Sequence, residues 1–245
     1  MPRHPTVELP PMPRGGPFAG AALARTAPNL PLRGMTVLAV EDSRYACEAL
    51  RLMCQRSGAR LRRAETLLAA RAHLRLYRPD VVIVDLGLPD GRGETLIRDL
   101  VLQAPRPTVI LGTSGLATGR RTALAAGADG YLEKPLESLA AFQRALIGEA
   151  SGEAAEGVDE PISAPDPLAL RDDLQRVADR LAGTPDAVTQ RYLAGFVQGL
   201  ARLSRDPALS AAAEDCVTPG ASVEGLQSLI AQRLALPSWR GADWG

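Results

Sequence analysis

Val81-Val82-Ile83-Val84-Asp85-Leu86-Gly87-Leu88-Pro89-Asp90-Gly91 decides the fold of this chain. Val81 to Val84 are four consecutive β-branched apolar residues, too hydrophobic for a strand with one wet face. They read as the central strand of a parallel sheet covered on both sides. The run stops on a carboxylate, Asp85, and then on a turn rich in Gly and Pro. In open α/β sheets chemistry collects beyond the carboxyl ends of the strands, so Asp85 stands where a reactive group is expected.

Outward from this stretch the chain alternates strands and helices. Thr36-Val37-Leu38-Ala39-Val40 reads as a short strand running into Glu41-Asp42-Ser43, where Asp42 or Ser43 can cap a helix that continues to about Arg56. Ser57-Gly58 ends that helix. Residues 59–64 form a weaker strand diluted by arginine, and residues 65–76 a helix. Beyond the central strand, helix 93–102, strand 108–113, helix 117–126, strand 130–132 and helix 136–149 follow. Five such units with short connections predict an α/β domain with a doubly wound, five-stranded parallel sheet.

Residues 1–34 hold 8 of the 20 prolines and no periodic apolar pattern, which predicts a disordered extension. Residues 150–166 read as an acidic, flexible linker. From 167 to 236 the periodicity is wholly helical, with stripes at Leu170/Leu174/Val177/Leu181, at Tyr192/Leu193/Phe196/Leu200/Leu203 and at Leu226/Leu229/Ile230/Leu234. This predicts a small all-α domain of three or four helices, followed by a short tail at 237–245.

Composition narrows the function classes. Residues 1–150 carry 20 basic and 14 acidic side chains, and residues 151–245 carry 8 and 14. A C-terminal half with this acidic excess is a poor footprint for nucleic acid, which is expected to be an unlikely partner. No run of 18 apolar residues occurs, so no membrane span is expected. The three cysteines lack metal spacing and suggest buried thiols in a reducing, cytoplasmic setting. Gly91-Arg92-Gly93 lacks the third glycine of a dinucleotide fingerprint and follows the wrong strand.

Of 28 basic residues, a single one, Lys134, is lysine. It marks a place where a compact ammonium serves and a planar guanidinium would not. Glu41 and Asp42 follow the first strand, Asp85 the third, Thr113 the fourth and Lys134 the fifth, and a parallel doubly wound sheet gathers all of them at one edge. Three carboxylates there repel one another and raise each other's pKa unless a cation joins them. An all-oxygen donor set favours Mg²⁺. A lysine and a hydroxyl opposite supply charge neutralisation and a hydrogen-bond donor suited to a phosphoryl group.

Over residues 35–149 the sequence resembles the receiver domain of bacterial two-component response regulators. The resemblance rests on Val40-Glu41-Asp42-Ser43, Val84-Asp85-Leu86-Gly87-Leu88-Pro89-Asp90-Gly91, Leu111-Gly112-Thr113-Ser114 and Ala126-Gly127-Ala128-Asp129-Gly130-Tyr131-Leu132-Glu133-Lys134-Pro135. It implies a flavodoxin-like sheet of strand order 2-1-3-4-5. Asp85 is then the phosphoacceptor, taking a phosphoryl group from a sensor histidine kinase or histidine phosphotransfer protein. Glu41, Asp42, Asp85 and the backbone carbonyl of Gly87 are implied to hold Mg²⁺. Lys134 and Thr113 are implied to contact the phosphoryl oxygens, Tyr131 to act as a switch aromatic, and the Lys134-Pro135 bond to be cis. Ser114 stands where the family commonly has Ala or Gly, and so competes with Thr113 for the hydroxyl role.

The helical domain carries no motif that we recognise as an output module. Histidine occurs at 4 and 73 alone, so the C-terminal region cannot be a histidine phosphotransfer module. The expectation is a response regulator with no separate catalytic domain, in which phosphorylation controls a helical unit that binds protein or forms a homodimer. The signalling surface would include Arg120, Arg121, Tyr131 and helix 136–148. A DNA-binding transcription regulator and a phosphorelay sink or shuttle are the alternatives.

Overall fold

The computed structural model describes residues 30–136, 138–147, 166–183, 185–217 and 222–236. Most of the expected extension, the expected linker over 150–165 and the tail at 237–245 lie outside the described residues. Leu30 to Gly34, on the disordered side of the expected boundary, form a turn instead. Leu32 is buried there, and its N–H donates to the Ser57 carbonyl at 2.9 Å.

The first unit contains β1 (Thr36–Val40), α1 (Arg44–Ser57), β2 (Arg60–Ala64), α2 (Leu67–Leu76) and β3 (Val81–Asp85). A two-stranded ribbon follows, β4 (Gly87–Leu88) with β5 (Gly91–Arg92). Then come α3 (Gly93–Leu102), β6 (Val109–Ser114), α4 (Gly119–Ala125), β7 (Gly130–Glu133) and α5 (Leu139–Ile147). The main sheet has the order β2-β1-β3-β6-β7 and every pairing in it is parallel. Because the ribbon takes two labels, this is the expected order 2-1-3-4-5 of a doubly wound sheet. All five residues of β3 are buried. Val82 and Val84 pack on one side with Leu96, Ile97 and Leu100, while Val81 and Ile83 pack on the other with Leu50, Met53 and Phe142.

Local chemistry explains how the chain turns at the strand ends. Ser43 is the N-cap of α1, its hydroxyl accepting from the Ala46 N–H. Gly93 begins α3 against the carbonyl of Asp85, where an added Cβ would lie 2.0 Å from that oxygen. Only glycine lets the helix start so close to the end of β3.

The second unit is helical: α6 (Pro167–Leu181), α7 (Ala187–Ser204), α8 (Pro207–Asp215) and α9 (Glu224–Ala235). Asp166, Asp186 and Asp206 cap the first three of these. The expected stripe on α6 is buried throughout, as are Leu193, Leu200, Leu226 and Ile230. Tyr45, from α1 of the sheet unit, belongs to the same apolar cluster. The two units therefore share packed surface, chiefly α6 on α1 and α7 on β4 and α1. Among the described residues no helix is long and apolar enough to cross a membrane, and all three cysteines are free thiols and buried.

Candidate functional site

Parallel strands bring Glu41, Asp42, Asp85, Thr113 and Lys134 to one edge of the sheet, and all five are buried. Asp85 and Thr113 are direct partners in the β3–β6 register. The Lys134-Pro135 bond is cis. The lone lysine bridges two carboxylates, its Nζ donating to Asp85 Oδ2 at 2.5 Å and to Glu41 Oε2 at 2.7 Å. The Gly87 N–H donates to Asp85 Oδ1 at 2.9 Å, and the Ser43 N–H to Glu41 Oε1 at 3.1 Å. Arg63 fixes the loop from beneath, donating to the carbonyls of Glu41 and Asp42.

The third carboxylate is held differently. The Tyr192 hydroxyl, on α7 of the helical unit, donates a short hydrogen bond to Asp42 Oδ2. Asp42 Oδ1 is buried with no protein partner. Five of the six carboxylate oxygens thus have a donor and the sixth is open. An unpaired buried carboxylate oxygen is costly.

Charge counting gives the same result. Three carboxylates and one ammonium leave the buried set two charges short of neutrality, which a divalent cation corrects. One oxygen from each of Glu41, Asp42 and Asp85 lies within 4.8 Å of the others. A hard, all-oxygen donor set of this kind suits Mg²⁺. The residues present therefore fit the ion, and Gly87 lines the same cavity.

Without a cation the set responds by holding protons. Burial pushes the Glu41 carboxyl up to about 8; Lys134 opposes the shift, while Asp85 and Asp42 add to it. Burial likewise raises Asp42 to about 6, against the pull of the Tyr192 hydrogen bond. Burial lowers the Lys134 pKa, but the Asp85 and Glu41 charges outweigh it and raise it overall, which favours the ammonium. Between about 4.5 and about 8 the unfolded chain has therefore released a proton that folded Glu41 retains. Folding takes up protons in that window, so stability is expected to fall as pH rises. Mg²⁺, binding the ionised folded form, should remove much of the fall. Urea midpoints measured across this range with and without Mg²⁺ check it; midpoints that climb with pH in metal-free buffer would contradict it.

The hydroxyls divide by strand parity. Thr113 alternates onto the same face as Asp85, whereas Ser114 is on the opposite face yet lines the cavity at the strand end with Asp85 and Lys134. Ser114 Oγ accepts from the Leu116 N–H at 3.1 Å. Tyr131 is turned inward over Gly119, its hydroxyl donating to the Ser114 carbonyl at 2.9 Å.

Residues of α7 roof the site. Arg191, Tyr192, Gly195, Phe196, Gly199 and Leu203 close a cavity of about 120 Å³ over Asp85 and Lys134. The loop after β6 approaches the helix backbone to backbone, since a Cβ on Gly115 would sit 2.8 Å from Gly199 Cα. Asp173 anchors α6 alongside. Fully buried, it accepts from Ser43 Oγ at 2.9 Å and the Tyr45 N–H at 3.0 Å, and pairs with Arg176 at 2.5 Å. Burial raises the Asp173 pKa, and those donors oppose the shift. Neither Tyr192 nor Asp173 was expected at the site. Tyr192 carried an apolar-stripe signal, and Asp173 no signal beyond the Asp172-Asp173 pair itself.

Comparison with known proteins places these features. The model of the response regulator receiver domain matches residues 37–145. The KDP operon transcriptional regulatory protein KdpE of Escherichia coli is 40% identical over 99 residues, which are 40% of this chain and 44% of the relative. The virulence transcriptional regulatory protein PhoP of Salmonella typhimurium is 35% identical over 134 residues, or 52% of this chain and 58% of the relative. The chain thus spans about half the length of the curated relatives it matches. Among solved structures, the receiver domain of a Pseudomonas aeruginosa sensor histidine kinase is 27% identical, with a TM-score of 0.42, and covers 46% of this chain and 94% of that one. The names of the two relatives weigh against the expectation that nucleic acid is an unlikely partner.

Proposed function

From the premise that residues 37–145 are a response regulator receiver domain, we propose that this chain accepts a phosphoryl group on Asp85 and uses it to control the docking of its own helical unit. The observation that carries the proposal is the Lys134 ammonium bonded to Asp85 at the mouth that α7 closes.

The chemistry follows from the groups in place. Asp85 Oδ attacks phosphorus on a phosphohistidine; the new O–P bond forms as the P–N bond breaks, and the imidazole leaves with that electron pair. Bound Mg²⁺ would neutralise the charge gathering on the transferred oxygens. Lys134 holds the carboxylate oriented beforehand and afterwards offers its ammonium to a phosphoryl oxygen. Thr113 or Ser114 donates a hydroxyl, and Tyr131, bonded to the Ser114 carbonyl, is placed to follow that loop. A sensor histidine kinase or histidine phosphotransfer protein is the donor class this mechanism requires. Its docking needs the mouth that α7 occupies, so a donor and the helical unit exclude one another.

The test is intact mass after incubation with acetyl phosphate and Mg²⁺, followed by localisation of the label. One phosphoryl group on Asp85 is the expected result, and label on any other residue defeats the proposal. A second reading concerns output. The names of KdpE and PhoP favour control of transcription, with DNA binding following release of the helical unit. A salt-dependent shift of duplex DNA that appears only after phosphorylation supports this reading. No shift at low salt, in either state, leaves a protein target or homodimer of residues 167–236 as the output.

A further inference from the structure

We infer that Tyr192 is a positioning residue for the cation pocket, supplied by the helical unit, so that Mg²⁺ binding and the docking of α7 strengthen one another. The inference rests on the reading of Glu41, Asp42 and Asp85 as a cation site and goes beyond it.

The geometry leaves a carboxylate oxygen available beside the one that Tyr192 holds. Tyr192 takes one oxygen of Asp42 and leaves the other, Oδ1, buried and open on a carboxylate whose neighbours are Glu41 and Asp85. Tyr192 thus fixes the carboxylate through one oxygen while the other is buried and without a protein partner. Carboxylates that ligate metals are commonly oriented by such outer hydrogen bonds, and losing one typically costs 10–100-fold in metal affinity. The backbone of the same residue is held from the same side, Arg176 of α6 donating to the Asp42 carbonyl at 3.2 Å. The side chain of Asp42 therefore depends on α7, and its carbonyl is shared between Arg63 of β2 and Arg176 of α6.

Linkage makes the effect reciprocal: if docking improves Mg²⁺ affinity by some factor, Mg²⁺ improves docking by the same factor. The helical unit then reports the state of the pocket with no signal relayed through α4 or β7. Docking is tightest on a metal-loaded receiver, and a phosphoryl group placed in the roofed cavity between Lys134 and Arg191 acts directly on the α7 contact.

The full-length chain provides the test. Mg²⁺ affinity is measured by calorimetry, and hydrogen exchange is followed at the Tyr45 amide and along α7. In the wild type, Mg²⁺ should slow exchange at both places. Tyr192→Phe, which removes only the hydroxyl, should bind Mg²⁺ roughly tenfold more weakly and lose the Mg²⁺-dependent protection of α7. Asp173→Ala lies outside the carboxylate set but loosens the same docking, and should weaken Mg²⁺ through linkage. Wild-type affinity in either variant, or tighter binding in Tyr192→Phe, overturns the inference. Asp85→Asn separates the two levels. If it leaves Mg²⁺ binding unchanged, the cation-site reading itself fails; if it weakens binding while Tyr192→Phe does not, only the linkage fails.

Discussion

Asp85→Asn is expected to abolish labelling by acetyl phosphate while leaving the fold in place. Asn is close in shape to Asp, and its single carbonyl oxygen can keep one of the two contacts that the carboxylate now accepts on separate oxygens, from the Gly87 N–H or from the Lys134 ammonium. What it lacks is an anionic oxygen to attack phosphorus, and no neighbour replaces it. Glu41 is engaged by Lys134 and Ser43, and Asp42 is buried and held by Tyr192 through one oxygen. The loss should therefore be complete rather than partial. Intact mass and far-ultraviolet circular dichroism together check it: an unlabelled, folded variant is the expected pair of results, and labelling at the wild-type level would remove Asp85 from the mechanism.

Lys134→Ala should have the largest effect on stability. The ammonium is 7% exposed and bonded to two carboxylates that are themselves buried. Removing one partner of a buried ion pair leaves uncompensated charge and costs about 3–5 kcal/mol, read as a lowered urea midpoint. Mg²⁺ should recover part of that loss by entering the cluster that the lysine has vacated. Lys134→Arg tests shape rather than charge. A guanidinium spreads its charge over a plane and cannot put a single point donor between Asp85 Oδ2 and Glu41 Oε2. Phosphoryl transfer should fall in that variant although the formal charge is kept, and an arginine variant labelled at the full rate would show that only charge matters.

These residues were legible in the sequence because each ends a strand. The four β-branched residues before Asp85 specify a strand buried on both faces, and parallel topology then brings Glu41, Asp42, Thr113 and Lys134 beside it without further information. Lys134 also stood out as the one lysine among arginines. In the helical unit α8 has few large apolar residues and left no stripe. The roof over the site was not legible. Tyr192 and Phe196 fit an ordinary apolar stripe, and the pattern does not say that they face a neighbouring unit rather than their own core. Asp173 looks like any acidic residue on an amphipathic helix until Ser43 and the Tyr45 N–H meet it across about 130 positions of sequence. The contact between the units is instead made by buried, directional hydrogen bonds and by the shared apolar cluster around Tyr45, which no surface pattern announces.

The helical unit that covers Asp85 is part of the same chain, joined to α5 by the 19 residues from 148 to 166. A tether of this length holds a binding partner at an effective concentration on the order of millimolar. A freely diffusing donor at about one micromolar then starts at roughly a thousandfold disadvantage, equivalent to about 4 kcal/mol, for the same surface. Only a protein donor that grips the receiver correspondingly more tightly would displace the helices from Asp85. Under the proposed function the roof would act as a threshold against protein phosphodonors, reserving the receiver for a partner with contacts that the tethered helices lack, while a small donor such as acetyl phosphate does not compete for that surface.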